Sequence, residues 1–368
     1  MSQKIVSNIP YEMIEKILMG FGCRKFMLVC GNSLSSLELG EAIESIDIPH
    51  ITFKDFSPNP KYEDICPAVN LFLSEGCDLI LAVGGGSAID VAKCIKSFSG
   101  MDQERSYLEQ DYPKVDIPLI AIPTTAGTGS ESTKYSVIYY NGEKQSVTDD
   151  SLIPDLAILQ HELLYSLPEY QKKCTLLDAL AQAIESYWSV RSTDKSRALA
   201  KEAIELIMTY ADEYVFENTA EAAEKIMQGS NLAGQAINIT ATTAPHAMSY
   251  KLTTTYGFPH GHSVALSLPR VWRYMLDHPE KVTDKRGYDF LSGVFVEIAE
   301  AMGCMDADEA IGELEAMLEC YEIDLPEAID RKAELDMLVN AVNVERLGNN
   351  PVALDRGALY EIYGDILK

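Results

Sequence analysis

Basic residues are scarce in this chain: 30 lysines and arginines stand against 56 aspartates and glutamates, a formal charge of −26 over 368 residues. A surface of that sign repels phosphate backbones and anionic lipid, which argues against nucleic acid or membrane as a partner. No apolar run reaches the length of a membrane span, and the first residues, MSQKIVSNIPYEMI, lack the basic start and apolar stretch of a secretory signal. The eight cysteines (Cys23, Cys30, Cys66, Cys77, Cys94, Cys174, Cys304 and Cys320) form no C-x-x-C pair and lie mostly in apolar runs. They read as buried free thiols, so a cytoplasmic protein is expected. Internal repeats are absent, and a 47% hydrophobic composition over this length suits a globular chain of two domains.

Against that background one stretch stands out, LAVGGGSAIDVAK at 81–93, where an apolar strand runs through three glycines into an amphipathic helix. Gly84, Gly85 and Gly86 can adopt turn dihedrals closed to other residues and let a ligand approach the main chain. The helix from Ser87, carrying Asp90 and Lys93, presents free N–H groups and a positive dipole end to a phosphate. The same pattern also arises from plain strand–helix packing.

Between about 25 and 160, apolar runs alternate with helical patterns. KFMLVC (25–30), HITF (50–53), DLILAV (78–83) and PLIAIP (118–123) read as strands, with SLELGEAIESI and YEDICPAVNLFLSEG as helices between them. Such alternation predicts a Rossmann-like α/β domain with a parallel sheet and its ligand at the carboxyl ends of the strands. The small, hydroxylated PTTAGTGSEST (123–133) reads as a second ligand loop or as a simple Ser/Thr-rich turn. After SLIPDLAIL the strand signals fade and helical periodicity takes over, as in LLDALAQAIESYWSV, SRALAKEAIELIMTYADEYV and GYDFLSGVFVEIAEAMG. The expected division is an α/β nucleotide-binding domain over 1–162 and an all-α domain over 163–368.

Histidine is also scarce: there are six, yet His246, His260 and His262 fall within APHAMSYKLTTTYGFPHGHSVAL. Imidazoles clustered in this way suit metal coordination or acid–base work, or are polar helix-end residues.

Taken in order, GGGSAIDVAK, PTTAGTGSE, DALAQAIE and PHAMSY…FPHGH resemble the iron-containing (group III) alcohol dehydrogenase family over nearly the whole chain. The resemblance implies a dehydroquinate synthase-like fold, an NAD(P) cofactor and a catalytic helical domain that binds a divalent metal, Fe(II) or Zn. Carried over residue by residue, it puts Gly84, Gly85, Gly86, Ser87 and Asp90 around the pyrophosphate. Thr124, Thr125, Gly127, Thr128 and Ser130 fall beside the nicotinamide, and Lys144 falls at the ribose or remains a solvated loop lysine. Asp178, His246 and His260 match three metal ligands. The fourth position, one helical turn after Asp178, is Gln182 rather than histidine. Its amide can ligate the metal, orient a metal-bound water or line the pocket. A second departure is Tyr250, where many members carry histidine; it is read as a substrate contact or a packed core tyrosine. His262 is the candidate for a catalytic proton relay, against a supporting or structural role.

At the end of the first nucleotide-domain strand, Gly31, Asn32 and Ser33 stand where a carboxylate would repel a 2′-phosphate, so NADP(H) is weakly preferred over NAD(H). Local patterns such as SYWSVRSTDKSRALAKEAI and NPVAL are similar to the family's phosphonoacetaldehyde reductase branch. A small anionic aldehyde would then need cations against the acidic field, with Lys134, Arg191, Lys195 and Lys251 as candidates. The implied reaction is hydride transfer between a nicotinamide and a carbonyl carbon polarised by a metal. The implied partners are a small aldehyde or alcohol and further copies in a homo-oligomer. The rival readings are a non-redox, dehydroquinate-synthase-like lyase or cyclase and a metal-free nucleotide-binding protein.

Overall fold

A computed structural model describes residues 3–342 and 347–368. The chain divides into two compact units, Met1–Ser166 and Leu167–Lys368, so the division falls a few residues beyond the expected 162/163.

In the first unit, six strands form one parallel sheet: β1 (Lys4–Ser7), β2 (Phe26–Cys30), β3 (His50–Phe53), β4 (Leu79–Gly84), β5 (Leu119–Pro123) and β8 (Leu156–Leu159), in the order β1-β8-β5-β4-β2-β3. Both faces are covered, which is why β2, β4 and β5 are apolar at nearly every position rather than alternating. Phe26, Leu28, Leu79, Leu81, Ile120 and Ile122 pack with Ile14 and Leu18 of α1 (Met13–Gly20) and Leu39 and Ile43 of α2 (Glu38–Glu44). The intervening Met27, Val29, Ile80, Ala82 and Ala121 pack with α3 (Tyr62–Ser74) and α4 (Gly86–Phe98).

The chain leaves β2 toward β3 on one side and β4 toward β5 on the other. The carboxyl ends of β2 and β4 therefore flank the crevice where such sheets bind ligands. Gly31 follows β2 and Gly84 ends β4; a Cβ on Gly84 would lie 3.9 Å from Gly31 N and 2.7 Å from Ala88 Cβ. A two-stranded antiparallel hairpin, β6 (Tyr135–Tyr140) and β7 (Glu143–Thr148), departs from the expected alternation. Its turn is Asn141-Gly142, both at positive φ, the pairing that favours tight hairpins.

Among the described residues the second unit contains α5 (Glu169–Trp188), α6 (Asp194–Asp212), α7 (Ala220–Thr240), α8 (Ala244–Tyr256), α9 (His260–Asp277), α10 (Tyr288–Ala301), α11 (Ala307–Cys320), α12 (Arg331–Ala341) and α13 (Arg356–Ile366). Side-chain caps set several starts: Thr193 accepts from Ser196 N, Asp306 from Glu309 N and Asp355 from Ala358 N. Helix α5 is buried at every position from Lys172 to Trp188, packed by α6, α7, α9 and α10. A helix enclosed on all sides places polar side chains against other protein, so Asp178, Gln182 and Glu185 must find partners there. No helix among the described residues is long and apolar enough to cross a membrane.

Candidate metal centre and nucleotide loop

Helix α5 carries Asp178 and Gln182 one turn apart, and three local devices bring the histidines to them. After α7 the chain turns sharply through Ala241, whose φ of 58° and ψ of 172° are costly for a residue with a Cβ. Asn349 holds this turn by donating to the carbonyls of Thr240 (2.8 Å) and Thr242 (2.9 Å). Pro245 then sits in the first turn of α8, where its missing N–H costs nothing, and His246 follows. His260 is the first residue of α9, and Gly261 lets that helix end approach α5: a Cβ at 261 would stand 1.9 Å from the Cys174 carbonyl oxygen and 3.0 Å from Asp178 Cβ.

The result is one cluster. Asp178, His246 and His260 present ligand atoms within 4.8 Å of one another. Asp178 Oδ1 lies 3.3 Å from His246 Nε2 and 3.8 Å from His260 Nε2. Asp178, Gln182 and His246 are buried and His260 is partly exposed, its ring stacked parallel on Tyr250 at 5.5 Å between centroids. Tyr250 is partly exposed and forms a wall beside His260.

Glu185, two turns after Asp178 and wholly buried, accepts a hydrogen bond from His246 Nδ1. With Nδ1 donating, a neutral His246 turns its Nε2 lone pair toward Asp178 Oδ1, so the two electron-rich atoms need a cation between them. Burial disfavours the charged imidazole, but Glu185 and Asp178 outweigh it and push His246 up to about 9. Burial likewise raises Asp178, but His260, His246 and Gln182 together hold its carboxyl below the usual range. Two buried oxygens, Asp178 Oδ1 and Gln182 Oε1, have no hydrogen-bond partner. Orphaned oxygens beside two convergent imidazoles fit a divalent cation, and one carboxylate with two imidazoles is a donor set that holds zinc or ferrous iron.

His262 lies outside this cluster. Its Nε2 donates to the Asp324 carbonyl at 2.9 Å, its Nδ1 faces the Tyr170 hydroxyl at 2.8 Å, and its ring stacks on Phe258. Both nitrogens are therefore occupied in packing α9 against its neighbours, and burial holds the imidazole below its ordinary pKa.

In the first unit the two expected cofactor loops touch. A Cβ on Gly85 would lie 3.3 Å from Thr125 Oγ1, and one on Gly86 would lie 2.9 Å from the Thr128 side chain. At Gly85 the backbone angles are open to any residue (φ −74°, ψ −171°), so its glycine meets a need for room rather than for a special turn. No side chain caps the start of α4, a helix end of the kind that suits an anion. Gly86, Ser87, Thr124, Thr125 and Thr128 are partly exposed at this edge, with Gly127 buried beneath and Asn32 and Ser33 exposed after Gly31.

Asp90 and Ser130 are joined to each other within the protein. The Asp90 carboxylate accepts from Ser130 Oγ (2.6 Å) and Val137 N (3.0 Å), which ties the second loop and β6 to α4. Lys93, buried on the same helix, donates to Ser130 Oγ, Thr133 O, Thr133 Oγ1 and Tyr135 O. These three residues shape the loop from behind. Lys144 is on strand β7, opposite Tyr139, not in a loop. Among the expected cations, Lys134 pairs with Asp150 at 3.2 Å, Arg191 and Lys195 are exposed, and Lys251 is partly exposed.

Sequence reasoning passed over Glu185, Thr243 and Gly261. Glu185 stood inside a quoted motif, and its spacing of two turns from Asp178 within an apolar helix was the available signal.

The iron-containing alcohol dehydrogenase family model matches residues 4–161, and the model of that family's C-terminal region matches 173–367. The chain belongs to the iron-containing alcohol dehydrogenase family. Aldehyde-alcohol dehydrogenase 2 of Entamoeba histolytica is 33% identical over 68% of this chain, a match that spans only 31% of that relative. The phosphonoacetaldehyde reductase of Streptomyces viridochromogenes is 28% identical over 89% of this chain and 85% of its own length. Among solved structures, the sulfoacetaldehyde reductase of Bifidobacterium kashiwanohense in complex with NAD+ superposes with a TM-score of 0.86 at 28% identity, covering 99% of this chain and 96% of that one.

Proposed function

We propose that this chain is a metal-dependent, NAD(P)-linked alcohol dehydrogenase acting as a reductase of a small aldehyde. The convergence of Asp178, His246 and His260 beside two orphaned oxygens carries this reading. Asp178 supplies the negative charge of the metal site, His246 and His260 offer neutral lone pairs, and Gln182 Oε1 offers a further, neutral oxygen. The start of α4 receives the cofactor pyrophosphate on its free N–H groups, with Thr124, Thr125 and Thr128 alongside. When bound, a divalent ion, Fe(II) or Zn, supplies Lewis-acid polarisation of a carbonyl, and NAD(P)H supplies the hydride.

For the substrate, two relatives named for aldehydes with an anionic phosphonate or sulfonate group support a small anionic aldehyde. The test is anaerobic protein reconstituted with Fe(II) or Zn(II), followed by NADH and NADPH oxidation with phosphonoacetaldehyde, sulfoacetaldehyde and neutral aldehydes of like size. Metal-dependent net oxidation with the anionic aldehydes foremost is expected. No net oxidation with any aldehyde would overturn the reading in favour of a non-redox one.

A weak preference for NADP(H) over NAD(H) is supported by Gly31, where a Cβ would meet nothing nearer than Ser33 Oγ at 3.9 Å. Gly31→Asp fits that space and sets a carboxylate beside a 2′-phosphate, a repulsion on the order of 1 kcal/mol or more at a partly exposed site. The NADPH:NADH ratio of kcat/KM is expected to fall by about tenfold. A wild type that prefers NADH, or an unaltered ratio in the variant, would refute it.

A further inference from the structure

Glu185 is a wholly buried carboxylate on α5, which is enclosed from Lys172 to Trp188. Burying such a group is costly unless its oxygens are satisfied. Its two oxygens are divided between two tasks. Oε2 accepts from Thr243 N (2.5 Å) and from Thr243 Oγ1 (2.9 Å), and that hydroxyl in turn accepts from Trp188 Nε1 at 2.9 Å. Oε1 accepts from His246 Nδ1. One side chain thus fixes the residue that precedes α8 and, three residues on, the rotation and tautomer of an imidazole in its first turn.

We infer that Glu185 is a positioning residue: by holding the proton of His246 on Nδ1, it keeps Nε2 free and aimed at the point shared with Asp178 and His260. This inference rests on the metal centre proposed above. A glutamine at 185 is the same size but has only one acceptor oxygen. If that oxygen faces Thr243, the amide N–H₂ faces His246 and drives its proton to Nε2, which blocks ligation there. If it faces His246, the Thr243 donors meet an N–H₂ group instead. The Thr243 N–H can only donate, whereas His246 can move its proton, so the first arrangement is favoured and weakens the centre without touching it; Thr243→Ala removes a hydroxyl from the same helix start and leaves the Glu185–His246 bond in place.

The experiment measures Co(II) and Zn(II) affinity of the full-length wild type, Glu185→Gln and Thr243→Ala by chelator competition, with the Co(II) absorption spectrum and the metal-free melting temperature recorded for each. Glu185→Gln is expected to bind either ion roughly 10- to 100-fold more weakly, with an altered Co(II) spectrum. Thr243→Ala is expected to lose thermal stability but to keep its metal affinity within about threefold and its spectrum unchanged, as the reasoning of a tautomer lock requires. Unchanged affinity in Glu185→Gln, or an equal loss in Thr243→Ala, overturns the inference. A wild type that binds neither ion overturns the metal centre itself, and the inference with it. Histidine ¹⁵N spectra of the Zn-loaded wild type give a check that needs no variant: His246 protonated on Nδ1 supports the inference and protonation on Nε2 overturns it.

Discussion

Gln182 concentrates the difference between this chain and its family's ligand pattern in a single amide. Its position one turn after Asp178 was legible from spacing alone, but its role was not, because the same amide serves as ligand, water holder or pocket lining. The orphaned Oε1 favours the first two. Gln182→His is expected to tighten Fe(II) binding, and Gln182→Leu to weaken it by about tenfold, each read by metal titration. Equal affinities in both would assign the residue to pocket lining.

Lys93 gives a second test at this scale. Its ammonium is buried among neutral oxygens, and burial, opposed by Asp90 and Glu131, brings its pKa down to about 8. Above that pH the folded chain has released a proton that the unfolded chain keeps to about 10.4, so the unfolded state binds more protons and stability rises with pH across this window. The stability of the wild type relative to Lys93→Met should therefore grow between pH 8 and 10.5, by at most about 3 kcal/mol. Urea midpoints for the two proteins across that range check it, and a flat difference would refute it. The partners of Asp90, Lys93 and Glu185 could not be read from the chain. They lie about 40 to 60 positions away, and spacing within one helix says only which face a side chain shares.

At the level of elements, the parallel strands β2 to β5 were legible as short runs, mostly apolar, between helical patterns, and α5, α6 and α10 as long stretches without strand or turn signals. Strand β1 was not, being four residues at the sheet edge. The β6–β7 hairpin was passed over although Asn141-Gly142 marks its turn, because β7, EKQSVT, is mostly polar and mostly outside the core. The approach of α9 to α5 was equally hidden, since a glycine between two histidines reads as an ordinary loop residue until the Cys174 carbonyl is found against it. Gly261→Ala must push the first turn of α9 away and carry His260 with it. The expected result is a loss of about 1–3 kcal/mol or more of stability together with loss of metal binding. A variant with normal melting temperature and metal content would show that the close approach is dispensable.

For the whole molecule, the acidic composition and two-part organisation were legible from the residue counts and the change from strand to helix signals. The candidate metal site was legible only as a ligand list until α5, α8 and α9 brought those residues together. A ligand that binds only the folded chain raises its melting temperature by mass action, so Zn(II) should stabilise the wild type, and a chelator should reverse the gain. The central claim, that Asp178, His246 and His260 hold one divalent metal, is tested most directly by metal stoichiometry. Wild type and His260→Ala are reconstituted anaerobically with Fe(II) or Zn(II), freed of excess ion and assayed for bound metal. The account predicts one ion per wild-type chain and a severe loss in His260→Ala; a metal-free wild type, or a variant that retains its full complement, would contradict it.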